Sequence, residues 1–203
     1  MLVTVIRGTP IEVNASEPEV QQVLFDPEKP PSNIDFDEAA KTDWQYSNST
    51  DFSYEFDRKE QFGDRWVVKL RPVSVRVNLA LKIVEFLPKG APETLLAHEQ
   101  GHVDICKRIY GRAADGAREA ARSAIGRSFG GEGATLDEAC ADAISDATDK
   151  IDEIYRLNTV VYTNDVSEIY DYLQLAPDAL PKRSVDEAFE TYAKGKPARL
   201  NKR

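Results

Sequence analysis

The chain has 203 residues, 41% hydrophobic and 30% charged, the proportions of a globular protein long enough to bury a core. Its 35 acidic against 26 basic side chains leave a formal charge of -9, which argues against a general nucleic-acid binder or a protein held on anionic membranes. No run approaches the roughly 18 apolar residues of a membrane span, and the opening MLVTVIRG is too short for the apolar core of a signal peptide.

Residues 2–13 read as β-structure around a Gly-Thr-Pro turn. Residues 14–42 carry Pro18, Pro27, Pro30 and Pro31 among many acids, which predicts an irregular connection or a short exposed helix. The aromatic-polar alternation of 44–56 predicts a hairpin turning near Asn48-Ser49. Two further strands are expected at 66–70 and 73–87, broken by Arg71-Pro72. The alternation of the second implies one wet face, as in a long antiparallel or edge strand.

Pro92, placed for a first helical position, opens a helix expected to reach about Gly111. An Ala/Arg-rich helix is predicted over 113–129, ending at Gly130-Gly131, and another over 135–157. The pattern of 160–173 decides nothing. Residues 184–194 form a short helix with a capping box from Ser184 to Glu187. Strands first and helices second give an α+β class with a mostly antiparallel sheet. One domain is expected over 1–195, β-rich in 1–88 and helical in 91–195, with a basic tail at 196–203.

The chemistry lies in LLAHEQGHVDI, where His98-Glu99-Gln100-Gly101-His102 forms an HExxH motif inside the predicted helix. Histidines four apart share a helix face, so both imidazoles can reach one metal ion. Glu99 sits where a carboxylate can take a proton from a metal-activated water without being a ligand. Zinc suits neutral imidazole and an open position best. Both of the chain's histidines fall in this motif, and Leu95, Ile105 and Ile109 share their arc, so that face should point inward. The plainer reading is two hydrogen-bonded helix histidines that bind nothing.

The motif resembles that of the zincin metallopeptidases, which carry HExxH on a helix packed against a twisted sheet. That resemblance implies a zincin-like fold and a zinc-dependent peptidase, with 73–87 as the edge strand that pairs with a peptide substrate. The β-rich first half, the HEQGH signature and the helix after it also resemble a bacterial family of predicted secreted zinc proteases, over about residues 40–165. Export to the periplasm or outside the cell follows from that likeness; residence in the cytoplasm is the other option.

No third histidine exists, so a carboxylate must complete the ligand set. The segment Glu138-Ala139-Cys140-Ala141-Asp142 resembles the E-x-x-x-D helix of gluzincins, which implies Glu138 as ligand and Asp142 as the group orienting a ligand histidine. An acidic stripe opposite the apolar Leu136, Cys140, Ala143 and Ala147 is equally the mark of a solvated face. Asp165, in a T-x-D pattern, and Glu168, where the secreted-protease family has a histidine, stay open as alternatives. Tyr162 is preferred among Tyr110, Tyr155, Tyr162 and Tyr170 as an oxyanion stabiliser. Cys106 and Cys140 are either one disulfide or two buried thiols.

The expected activity is peptide-bond hydrolysis with Glu99 as general base. The alternatives are a zincin scaffold that binds metal without turnover, and a metal-free domain with a fortuitous motif. Natural substrate and oligomeric state are not legible in the sequence.

Overall fold

The computed structural model describes residues 10–35, 38–176 and 180–195. The expected turn at Gly8-Thr9-Pro10 falls almost wholly outside these residues, and the basic tail lies outside them. The chain is mixed α/β, with strands β1 (Ile11–Ala15), β2 (Glu19–Phe25), β3 (Lys41–Phe62), β4 (Arg65–Pro88) and β5 (Phe129–Gly133). Its helices are α1 (Glu93–Ala124), α2 (Leu136–Arg156), α3 (Tyr162–Gln174) and α4 (Pro181–Ala193), with a π-helical turn, Leu157–Val161, before α3. Among the described residues no helix is long and apolar enough to cross a membrane.

The described residues fall into two compact units that interleave along the chain. The first takes its residues from Met1–Ser16, Ser47–Ala80 and Ala113–Leu157. The second takes them from Glu17–Tyr46, Leu81–Arg112 and Asn158–Arg203. Both the β-rich and the helical half of the sequence therefore contribute to each unit.

In the first unit, β4 pairs in parallel with β1, Ile11 opposite Val75, and antiparallel with β5, Leu70 opposite Phe129. Val68 and Leu70 of β4 meet Ala139, Cys140 and Ala143 of α2, with Tyr54, Trp66 and Phe129 closing that core. In the second unit, β4 continues parallel to β2, Val23 opposite Phe86. There α3 packs on α4, and Ile105 and Ile109 of α1 join Val166, Ile169, Val185 and Phe189 in the core.

Several expectations are corrected. The sheet is not mostly antiparallel, because β1 and β2 both run parallel to β4. Nor is 73–87 an edge strand: it belongs to β4, the strand with which β1, β2, β3 and β5 all pair. Val75, Val77, Leu79, Leu81, Ile83 and Leu87 are buried, which is the alternation that the sequence displayed. The strand runs through Arg71-Pro72 without a break.

The expected hairpin over 44–56 is instead one continuous strand, and the chain reverses at Gly63-Asp64. A two-residue hairpin turn favours positive φ, which Gly63 adopts at 62° and which Asn48 and Ser49 do not. Strand β2 lies inside the segment expected to be irregular. The two helices expected over 92–129 are one, α1, because Ala113, Ala117, Ala120, Ala121 and Ala124 extend its buried face beyond Gly111. After α1 the chain forms β5 in place of the predicted helix end. Helix α4 opens at Pro181, three residues before the expected capping box. The Ser184 hydroxyl accepts from Gln174 Nε2 at 2.6 Å and caps nothing.

Candidate metal centre

The candidate site lies within the second unit, in a cleft of about 590 Å³. Its walls are residues 38–44, the loop into β3 and the start of that strand, then Leu95, His98, Glu99 and His102 of α1, and Ser167 and Asp171 of α3. The early turns of α1 supply four of these residues because positions 95, 98, 99 and 102 share one helical arc. Helix α3 buries Val166, Ile169 and Tyr170, and that packing carries Asp171 to the cleft.

His98 Nε2 lies 3.5 Å and His102 Nε2 3.0 Å from the same oxygen, Asp171 Oδ1. The three potential ligand atoms all lie within 4.8 Å of one another. Two imidazole nitrogens and one carboxylate oxygen beside a cleft match the type and number of protein donors that a zinc ion with one open position takes. The residues present therefore fit a divalent metal of the zinc type.

Tyr170 fixes the two rings. It is wholly buried, stacks on His98 at 5.2 Å between centroids, and meets His102 edge-on at 5.1 Å. Its hydroxyl donates to the His98 carbonyl at 3.1 Å. That approach is open only because residue 101 is glycine: a β-carbon there would overlap the Tyr170 ring and hydroxyl. Trp44 covers the other side, its ring 6.1 Å from that of His102 and its Nε1 donating to Asn164 Oδ1 at 3.3 Å. Burial, and then the neighbouring His102, hold the His98 pKa below its ordinary value, with Asp171 acting the other way. That direction favours the neutral imidazole, the form in which a histidine binds metal.

Glu99 is 3% exposed and accepts from the Thr42 hydroxyl at 2.6 Å. Burial pushes its carboxyl above the ordinary range, while the Thr42 hydrogen bond and His102 oppose that rise. The Tyr170 phenol is also pushed up, chiefly by burial and then by Asp171.

The other sequence candidates lie elsewhere. Glu138 does not complete the histidine pair. It is the third residue of α2, and its Oε2 accepts from the backbone of Ala134 at 2.8 Å and Thr135 at 3.1 Å. Glu138 instead closes a capping box with Thr135, to which Asp142 does not belong. Asp142 accepts from the Glu132 backbone at 3.0 Å. Asp165 and Glu168 lie on α3 but outside the converging set, which among the described residues is His98, His102 and Asp171. Tyr162 packs against Phe189 and Tyr192 in the α3–α4 core, so the tyrosine at the histidines is Tyr170. Cys106 and Cys140 are both free thiols.

Sequence reasoning missed Asp171, Thr42 and Trp44. A helical reading of 160–173 would have placed Asp171 one turn after Ser167 and beside the apolar Tyr170, at the seam of the buried face. No family model, curated protein or solved structure matches the chain.

Proposed function

We propose that this protein is a zinc-dependent peptidase of the zincin type. The observation that carries the reading is the convergence of His98 Nε2, His102 Nε2 and Asp171 Oδ1 within 4.8 Å, in a cleft that Glu99 also lines. His98, His102 and Asp171 would hold the ion. When bound, a metal of this kind supplies Lewis acidity, which makes a water acidic near neutral pH and polarises a carbonyl oxygen.

Glu99 acts as general base. It takes a proton from the water that attacks the scissile carbonyl and returns it to the departing amine. Its raised pKa suits a group that must accept a proton at one step and deliver it at the next. Residues 41–44 of β3 line the cleft, and among the described strands β3 pairs with β4 alone. An extended substrate would therefore lie along β3, in the place that the sequence had assigned to 73–87.

The test is hydrolysis of casein by the zinc-loaded chain, compared with Glu99→Ala at equal zinc content. Turnover by the wild type and none by the variant supports the reading. Zinc bound without turnover in either would make the protein a metal-binding module on the same scaffold. No zinc after repletion would reduce the motif to structural residues.

A further inference from the structure

We propose that Thr42 is the positioning residue for Glu99, its hydroxyl fixing one carboxylate oxygen so that the other alone serves the reaction. The inference rests on Glu99 being the general base.

Thr42 and Glu99 are 57 residues apart in sequence and on different elements, β3 and α1. Both are nearly out of solvent, at 7% and 3% exposure, and both line the cleft. The 2.6 Å bond from Thr42 Oγ1 to Glu99 Oε2 has the length of a hydroxyl donating to a charged carboxylate. Among the described residues no other side chain bonds the Glu99 carboxylate, so Oε1 is left to meet a water from the cleft.

A glutamate has three side-chain torsions, and α1 fixes only where they begin. Proximity in the motif does not orient the carboxylate plane, whereas a bond to one of its oxygens does. Threonine suits the task. On a strand its χ1 is restricted by β-branching, so the hydroxyl is itself held in place. The strand that would carry the substrate thus also sets the base, which couples peptide position to proton transfer.

A hydroxyl that only satisfied a buried carboxylate would leave the rate untouched as long as the protein folded and held zinc. The deciding experiment uses zinc-loaded wild type, Thr42→Val, which keeps the shape and removes the hydroxyl, and Thr42→Ser, which keeps the hydroxyl. Three quantities are compared: kcat and KM on fluorescein-labelled casein, the zinc dissociation constant, and crystal structures of both variants. Thr42→Val should lower kcat about 100-fold, the scale of a misplacement of about 1 Å. KM and zinc affinity should stay within about twofold, and the Glu99 carboxylate should leave its present orientation. Thr42→Ser should restore kcat to within about threefold and keep Glu99 in place.

Unchanged kcat or an unmoved Glu99 in Thr42→Val would overturn the proposal. So would a Thr42→Ser variant as slow as the valine form. If the valine form does not fold, Thr42→Ala replaces it with the same outcomes. If the wild type cuts no casein, the peptidase reading fails by itself, and the crystal structures alone decide whether Thr42 holds Glu99.

Discussion

The buried ring of Tyr170 lies against the bare backbone of Gly101, filling the place that a side chain at position 101 would need. Gly101 is one of the two unspecified positions of the HExxH motif, yet here it is the position through which α3 reaches the histidines. A mid-helix glycine ordinarily costs about 1 kcal/mol relative to alanine. Here that sign should reverse. Gly101→Ala should destabilise the fold by about 1–3 kcal/mol through overpacking and weaken zinc binding as Tyr170 is displaced. Urea unfolding and a zinc competition titration would read both effects; a stabilised variant would contradict the packing.

Asp171 and Glu138 make opposite predictions. Asp171→Ala removes the carboxylate that faces both imidazoles and should weaken zinc binding by a factor on the order of 100 or more. Glu138→Ala removes half of the capping box at the start of α2. It should cost about 0.5–1 kcal/mol of stability and leave zinc affinity unchanged. Metal titrations on the two variants would separate ligand from cap.

The pH dependence of the metal-free protein should betray Glu99. Its native pKa is raised above the ordinary value of 4.5, first of all by burial. As pH climbs past about 4.5 the unfolded chain gives up this proton while the native protein keeps it, so the group's contribution to stability falls with rising pH until the native pKa is passed. Glu99→Gln cannot ionise and escapes that loss. The stability gap between variant and wild type should therefore widen in the variant's favour above about pH 4.5 and then level off. A gap that stays flat, or closes, in urea unfolding between pH 4 and 8 would count against a buried, proton-holding carboxyl.

Cys106 should be chemically silent. Its thiol is fully buried and its pKa is pushed up to about 12 by that burial, against a lowering influence from Tyr46. At pH 8 almost no thiolate is present to react. Iodoacetamide labelling followed by peptide mapping should find Cys106 modified only after unfolding.

The motif was legible because its information is local. Two candidate ligands and a candidate base fit within five residues of one helix, and helical geometry alone brings them together. The third candidate ligand, Asp171, was not, because it depends on α3 packing against α1, a tertiary fact. Glu138 looked like a ligand for a reason that also holds at helix starts: an acid three residues after a threonine satisfies free backbone N–H groups. The alternating burial of 73–87 could be read from the sequence, but alternation says which face is buried, not how many neighbours a strand has. Thr42 carried no signal at all. A lone threonine on a strand is ordinary until the carboxylate it meets is known.

The spacing of these groups along the chain also orders events during synthesis. Glu99 meets Thr42 57 residues earlier in the chain, and His98 meets Tyr170 72 residues later. A growing polypeptide that has just completed α1 already displays both imidazoles and the carboxylate between them, but not Asp171. If the folded protein holds zinc, such a chain would hold it more loosely, through the histidine pair alone. On the proposed reading the donor set would be complete only once α3 has folded back onto α1, so a partly made chain would carry the HExxH motif without the carboxylate that joins its histidines.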